Sequence, residues 1–164
     1  MSLFPELARP VTMAKVYDGP RNDSWASPKE VFDALHAEFG FTLDAAADDS
    51  DHLCERYFTA KDDGLKQDWS GETVWCNPPY SEAAEWIRKG HQESLNGAVV
   101  VMLLPVRTGN KSWHSHIHGI AEIRWVRGRL SFGDGNGRAP FDSAIVIWRP
   151  SLFSDQGVMA GVKK

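Results

Sequence analysis

Residues 98–105 read AVVVMLLP, an unbroken apolar run that decides the fold. A strand with one solvated face alternates apolar and polar side chains, whereas a strand covered on both faces is apolar throughout. The segment before it, residues 81–95, carries apolar side chains at helical spacing and ends before Gly97. The run therefore predicts the central strand of a parallel sheet, entered from an amphipathic helix.

Helix and strand signals also alternate upstream of this run. Ser27 stands before PKEVFDALHAEF, which predicts a helix capped by Ser27 and closed by Gly40. The segment FTLD predicts a short strand ending at Asp44, and residues 48–58 are compatible with a short helix. Residues 73–76 predict a second strand, because they are apolar and stop abruptly at two prolines.

Downstream, a helix-like segment over residues 112–120 is followed by two strand-like runs. These are AEIRWVRGRLSF, residues 121–132, and FDSAIVIW, residues 141–148. Strands that alternate with helices and finish in a hairpin-like pair predict an α/β fold. We expect a mostly parallel central sheet with an antiparallel C-terminal edge and helices on both faces.

Length and composition predict one domain. A chain of 164 residues that is 42% hydrophobic can bury a single core. We expect an arm over residues 1–22, a domain over 23–150 and a tail over 151–164, because both ends lack helix and strand patterns. No run reaches the roughly 18 residues that span a bilayer, and the N-terminus lacks the signal-peptide pattern, so we expect a cytoplasmic protein with no membrane partner.

Charge is divided unevenly along the chain. Residues 30–72 contain twelve acidic and three basic side chains, whereas residues 103–138 contain six basic and two acidic ones. Two solvated faces would also give this pattern, but the basic segment indicates an anionic polymer as a partner. The acidic segment would repel phosphate.

The sharpest chemical motif is Asn77-Pro78-Pro79-Tyr80, which stands where a strand ends. Two prolines restrict the backbone and make a stiff polar corner. The Asn77 side-chain oxygen and the Pro78 carbonyl can then accept both hydrogens of one amine, while Tyr80 offers a flat face to a planar group. Adenine satisfies both requirements. The alternative is an ordinary Asn-Pro-Pro turn with Tyr80 packed against the core.

The chain resembles the phage-type (Dam-like) DNA N6-adenine methyltransferases, which depend on S-adenosylmethionine. The resemblance covers nearly all of residues 23–150, although the common FxGxG loop is replaced by LDAAAD. The similar motifs are WASP (25–28), FTLDAAA (41–47), DGL (63–65), DW (68–69), NPPYS (77–81), LP (104–105), RT (107–108), Trp113, GRL (128–130), Phe132 and APF (139–141).

The resemblance implies a Rossmann-like class I methyltransferase, a site-specific, adenine-specific DNA enzyme. Such an enzyme flips an adenine out of double-stranded DNA and transfers a methyl group directly to its N6 amine. It implies that Asn77, Pro78, Pro79 and Tyr80 are catalytic, with Tyr80 stacked on the flipped base. Asn77 follows Asp44 by only 33 positions, so one of the usual strand units there is expected to be vestigial.

The resemblance also implies residues for S-adenosylmethionine and for DNA. Asp62 or Asp63 is expected to bind the ribose, and Asp68 the cofactor's adenine amine. The cofactor residues are Trp25, Ser27, Pro28, Asp44, Ala45, Ala46, Asp62, Asp63 and Asp68. The DNA residues are Ser81, Arg107, Lys111, His114, Arg127, Arg129, Phe132 and Arg138.

No segment is long enough for a separate target-recognition domain, so relaxed or short sequence specificity is expected. A phage or prophage setting in a bacterial host implies protection from restriction, as in restriction–modification systems. The alternatives are a methyltransferase acting on RNA or on a protein glutamine amide, and a non-catalytic DNA-binding protein that kept the fold. Target sequence, strand preference and oligomeric state, monomer or homodimer, stay open.

Three smaller expectations follow from side-chain chemistry. His114, His116 and His118 lie near no carboxylate or cysteine in the sequence, so no metal site is expected there. Trp113 and Trp125 are expected in the core, the alternative being that they stack on bases. Two cysteines, Cys54 and Cys76, are too few for a disulfide framework, and both are expected to be free, non-nucleophilic thiols.

Overall fold

The computed structural model describes residues 26–131 and 138–150 of the chain. Trp25 and Phe132, which the sequence assigns to the cofactor and to DNA, lie outside the described residues. So do the expected arm and tail.

Nine regular elements and one 3-10 turn make up the described chain. The elements are α1 (Lys29–Phe39), β1 (Leu43–Asp44), β2 (Arg56–Tyr57), the 3-10 turn (Gly64–Lys66), β3 (Thr73–Cys76), α2 (Ala83–Leu95), β4 (Val99–Pro105), α3 (Lys111–His116), β5 (Glu122–Trp125) and β6 (Ser143–Trp148).

The six strands form one sheet in the order β2-β1-β3-β4-β6-β5. Strands β1 to β4 are parallel to one another, whereas β6 is antiparallel to both β4 and β5. The apolar run AVVVMLLP forms β4, which is buried from Val100 to Pro105 between β3 and β6. The predicted α/β fold is confirmed, and its antiparallel strand lies one position in from the edge.

Helices cover both faces of the sheet, as predicted. Phe32 and Leu35 of α1 pack with Trp75 of β3 on one face. On the other face, α2 and α3 pack in a second cluster that includes Ile87 and Trp113. Because each face carries its own apolar cluster, every central strand has both sides buried.

Two local predictions are wrong. Helix α1 begins at Lys29 with Pro28 at the cap position and no side-chain cap, because the Ser27 hydroxyl is engaged elsewhere. Residues 48–58 contain no α-helix. Instead the backbone N–H of Leu53 donates to the Asp44 carboxylate, and the segment then pairs with β1 as the strand β2. Between β1 and β3 the described chain thus holds a single strand.

Every helix in the described part of the chain is too short or too polar to cross a bilayer.

Both cysteines are free and buried, as predicted. Burial, with a smaller contribution from Asp44, raises the pKa of the Cys54 thiol to about 12. The same two causes raise the pKa of Cys76 well above its ordinary value. Neither thiol forms a thiolate near neutral pH, so neither is an activated nucleophile.

Candidate active site

A cavity of about 560 Å³ opens at the carboxyl ends of β1 and β3. This is the edge at which ligands bind in open α/β sheets, because the connecting loops diverge there. Its walls come from the residues after β1, β2 and β3 and from the first turn of α2. The lining includes Ser27, Asp44, Ala45, Ala46, Ala47, Asp48, Asp51, Phe58, Asp63, Gly64, Asn77, Pro79, Glu82, Glu85 and Trp86.

The structure brings together more than half of the cofactor and catalytic residues expected from the sequence. Those that line the cavity are Ser27, Asp44, Ala45, Ala46, Asp63, Asn77 and Pro79. Those described by the structure that do not line it are Pro28, Asp62, Asp68, Pro78 and Tyr80.

The side chain of Asn77 is held by the hydroxyl of Ser27, which lies 50 positions earlier in the chain. Its Nδ2 donates to Ser27 Oγ at 3.2 Å, and the indole Nε1 of Trp75 donates to the same oxygen at 3.2 Å. Because Trp75 is fully buried, the shared hydroxyl is fixed between two donors. The Asn77 amide therefore turns its nitrogen toward Ser27 and its carbonyl oxygen the other way.

Of the other residues in the NPPY corner, Pro79 lies at the cavity and Tyr80 lies in the core. Pro79 lines the cavity, and its carbonyl accepts the backbone N–H of Glu82 at 3.1 Å. Tyr80 is only 4% exposed, and its ring meets the edge of Phe141 at a centroid distance of 5.2 Å. Burial raises the pKa of the Tyr80 hydroxyl. Stacking of Tyr80 on a base stays a prediction.

Asp44, at the end of β1, is the buried carboxylate of the cavity, with 4% of its surface exposed. Burial raises its pKa to about 6, although backbone N–H groups of Leu53 and Ala46 donate to it and oppose that rise. A cation placed against Asp44 would favour the ionised form.

The three other carboxylates expected to bind cofactor have different roles. Asp63 lines the cavity in the left-handed backbone region, with φ 55°, and pairs with exposed Lys66 at 2.7 Å. Asp62 instead accepts hydrogen bonds from the backbone and hydroxyl of Thr59, which lower its pKa. Asp68 accepts the backbone N–H of Ser70 at 2.9 Å. Asp62 and Asp68 therefore close turns, and Asp63 alone of the three reaches the cavity.

Gly64 allows two walls of the cavity to meet. A Cβ at this position would lie 2.3 Å from the backbone oxygen of Ala45 and 3.0 Å from the Trp86 ring. The Gly64 carbonyl also accepts the indole N–H of Trp69 at 3.0 Å. Only glycine permits this approach of the 3-10 turn to the loop after β1.

The basic side chains expected to contact DNA lie at the same edge of the sheet as Asn77. Strands β4 and β5 run parallel to β3, and β6 starts where they end. The loops that follow β4 and β5 and the one that precedes β6 therefore meet at this edge. Arg107, Arg127, Arg129 and Arg138 are exposed on these loops, and Lys111 is exposed at the start of α3.

A family model described as DNA N-6-adenine-methyltransferase (Dam) matches residues 16–160. The chain belongs to this family.

Two phage proteins illustrate the similarity. The DNA N-6-adenine-methyltransferase of Escherichia phage T1 is 32% identical over 117 residues, which cover 70% of this chain and 49% of that protein. The protein of the same name from Haemophilus phage HP1 is 30% identical over 122 residues, covering 73% of this chain and 66% of its own. This chain thus spans about half to two thirds of the length of these relatives. The resemblance drawn from the sequence motifs is confirmed.

Sequence reasoning missed part of this family member's cavity. Asp48, Asp51, Glu82 and Glu85 also line it, so with Asp44 and Asp63 the lining holds six carboxylates and, among the described residues, no Lys, Arg or His. Asp48 and Asp51 lie within the acidic stretch of residues 30–72, and that excess of acids is the signal that could have identified them. Glu82 and Glu85 gave no signal, because acidic residues are ordinary in the first turn of a helix.

Other expected residues fall outside this cavity. Trp113 is buried in the core, as predicted, but the prediction for Trp125 is wrong, since 63% of it is exposed on the edge strand β5. His114 is exposed on α3, and His116 pairs with His91 through their Nδ1 atoms at 3.0 Å. Ser81 is exposed immediately after the NPPY corner.

Proposed function

We propose that this protein transfers the methyl group of S-adenosylmethionine to the exocyclic N6 amine of adenine in double-stranded DNA. The observation that carries the proposal is the Asn77 amide, oriented by Ser27, at the wall of an acidic cavity. Membership of the DNA N-6-adenine-methyltransferase family supports the same reaction.

The composition of the cavity fits this cofactor. S-adenosylmethionine supplies an electrophilic methyl group on a positively charged sulfonium, and it also carries an ammonium group and two ribose hydroxyls. Six carboxylates without a basic side chain among the described lining residues suit these cations and donors. We assign Asp44 to the ammonium end of the site and Asp63 to the ribose. Ser27 and the backbone from Ala45 to Ala46 line the path between them.

Asn77 and the Pro78 carbonyl are the proposed acceptors for the adenine amine. The amine is a poor nucleophile while its lone pair is delocalised into the ring. Two acceptors that hold its hydrogens favour a pyramidal nitrogen, whose lone pair then points at the methyl group. The proton released after transfer leaves to water. The contribution of the chain is therefore positioning and electrostatic stabilisation, with no covalent enzyme intermediate.

The base must leave the stack for this reaction, because its amine is not accessible to the corner inside a duplex. We propose that the basic side chains at the carboxyl edge of the sheet hold the flanking phosphates, with Ser81 and His114 beside them. With contacts to phosphates dominating, we infer relaxed or short sequence specificity. In a phage or prophage setting, in the cytoplasm of the host, such methylation would protect DNA from restriction.

Transfer of labelled methyl to unmethylated duplex DNA, followed by nucleoside analysis, tests the proposal. We expect 6-methyladenine with the wild type and a loss of at least about 100-fold in Asn77→Ala, because the oriented acceptor acts mainly in the transition state. Asn96→Ala is the matched control, since Asn96 is exposed at the end of α2, at the opposite edge of the sheet. Cofactor binding by calorimetry shows whether each variant keeps its cavity.

Other outcomes select the alternatives. Methyl transfer to RNA or to a protein glutamine amide, with DNA left unmodified, would contradict the DNA substrate. Binding of duplex without any binding of cofactor would identify a DNA-binding protein that kept the fold. Full activity in Asn77→Ala would refute the mechanism.

A further inference from the structure

Three large apolar side chains are exposed in the described part of the chain, and their places in the fold differ. Leu95 ends α2 and Ile120 precedes β5, so both lie at the amino edge of the sheet, away from Asn77. Trp125 ends β5 at the carboxyl edge, and 63% of it is exposed. A single exposed apolar side chain is ordinary on a protein surface, so the surroundings of Trp125 decide whether it has a partner.

The strand register fixes where Trp125 stands relative to the NPPY corner. Trp125 lies opposite Ala144, which lies opposite Leu104 of β4. On the other side of β4, Met102 lies opposite Cys76 of β3. Leu104 is two positions after Met102, and Pro78 is two positions after Cys76. Trp125 is therefore level with Pro78 along the strand direction. Three strand spacings separate β5 from β3, which amounts to about 14 Å.

The surroundings of Trp125 are cationic. Arg107, Lys111, Arg127 and Arg138 are exposed at the same edge and form no ion pair with any described residue. Arg129 pairs with Asp142 at 3.9 Å, with both side chains largely exposed. Tryptophan and arginine are both common in protein–protein interfaces, so the indole by itself does not identify the partner. The clustered cations, most of which have no acidic partner among the described residues, indicate a polyanion. DNA is such a polyanion, and it has apolar sugars and bases between its charges.

We propose that Trp125 packs into a groove of the DNA duplex about four base pairs from the flipped adenine, given a rise of about 3.4 Å per base pair. The proposal rests on the proposed function, because DNA is the assigned substrate. Trp125 supplies apolar contact to sugars and base edges, while the neighbouring arginines hold phosphates. It therefore acts on DNA binding and not on the methyl-transfer step.

Fluorescence anisotropy of a labelled mixed-sequence duplex of about 24 base pairs, measured without cofactor, tests this. We expect Trp125→Ala to raise Kd roughly tenfold, with Trp125→Phe intermediate. Leu95→Ala is the matched control, because Leu95 is equally exposed at the opposite edge; its Kd should stay within about twofold of wild type. Thermal denaturation verifies that each variant folds.

Salt dependence separates an apolar contact from a charge contact. The slope of log Kd against log salt should be unchanged in Trp125→Ala, whereas Arg127→Ala should reduce its magnitude by about 0.9. In the methylation assay, Trp125→Ala should raise KM for DNA with kcat nearly unchanged.

Several outcomes would overturn the assignment. These are a Kd for Trp125→Ala within about twofold of wild type, a changed salt slope, equal competition by an RNA hairpin, or no duplex binding by the wild type. A wild type that binds duplex through Trp125 but transfers no methyl group would refute the proposed function and leave this contact intact.

Discussion

Asp44 is a buried carboxyl group, and its burial disfavours the negatively charged form. Its folded-state pKa of about 6 lies above the ordinary value of 3.8, because burial penalises the carboxylate. The folded protein thus holds this proton more tightly than the unfolded chain. Protonated Asp44 therefore stabilises the folded protein relative to the unfolded chain. This stabilisation is fully present below the pKa that Asp44 has in the unfolded chain, and it is lost as pH rises through about 6.

We therefore expect Asp44→Asn to change the pH dependence of stability. Between about pH 3.5 and pH 7, the free energy of unfolding of the variant relative to wild type should rise by up to about 3 kcal/mol, since the wild type alone ionises a buried group. Urea titrations across this range measure it. A difference between the two proteins that does not vary with pH would show that Asp44 is not desolvated as the structure has it.

Ser27 connects the Asn77 amide, which we propose to be catalytic, to the core. Ser27→Ala removes the oxygen that accepts from both Asn77 and Trp75, and the buried indole N–H is left without its partner. We expect a loss of about 1–3 kcal/mol in stability and of roughly tenfold or more in kcat, because the amide is free to turn. Ser27→Thr keeps the hydroxyl and should restore both. Equal kcat in Ser27→Ala and wild type would contradict the positioning role.

Element contacts explain why the cavity keeps its shape. The 3-10 turn is tied to α2 through Trp69, whose backbone N–H donates to the buried Glu93 carboxylate at 3.0 Å. Lys89 pairs with Glu93 at 2.6 Å and donates to the carbonyl of Gln67. The segment that carries Asp63 into the cavity is thus held against a helix, not left as a mobile loop.

Two glycines at element contacts provide a matched comparison. A Cβ at Gly64 would meet the Ala45 backbone oxygen at 2.3 Å, whereas one at Gly90 would meet the flexible end of Met102 at 2.4 Å. We expect Gly64→Ala to lose several kcal/mol of stability together with cofactor binding. Gly90→Ala should cost less than about 2 kcal/mol, because Met102 can move and alanine favours the helix.

Thermal melts and calorimetric titration with S-adenosylhomocysteine measure both effects. If Gly64→Ala had the melting temperature and the S-adenosylhomocysteine affinity of the wild type, the 3-10 turn and the loop after β1 would not need to be in close contact.

At the scale of the whole molecule, acidic and basic side chains occupy separate regions. The carboxylates of the cavity and the cations proposed to hold DNA both lie at the carboxyl ends of the strands. The net charge of −4 conceals this arrangement, because it sums the two regions.

Salt should therefore affect the two ligands differently. Raising the salt concentration from about 50 to about 200 mM should weaken duplex binding by about 100-fold or more, because several phosphate contacts release counterions. Binding of S-adenosylhomocysteine should change by less than about threefold, since partly buried charges are screened less. Anisotropy and calorimetry in the same buffers compare them. Duplex binding insensitive to salt would contradict a phosphate-holding edge.

The sequence alone determined the centre of the sheet and the chemistry of the corner. An eight-residue apolar run can be satisfied only by burial on both faces, and consecutive prolines after a strand restrict the backbone whatever surrounds them. The family motifs likewise identified Asn77, Asp44 and Ser27 as residues of one site.

The tertiary structure alone decided which of the remaining residues meet. Asp62, Asp63 and Asp68 are alike in sequence, but only Asp63 follows a turn that aims into the cavity. Trp125 was expected in the core, but the local sequence pattern does not encode strand order. The sheet places β5 outside β6, so its indole lies at an open edge. Which aspartate lines the cavity and which strand lies at the edge depend on contacts between residues far apart in the chain. Local sequence propensities do not encode these contacts.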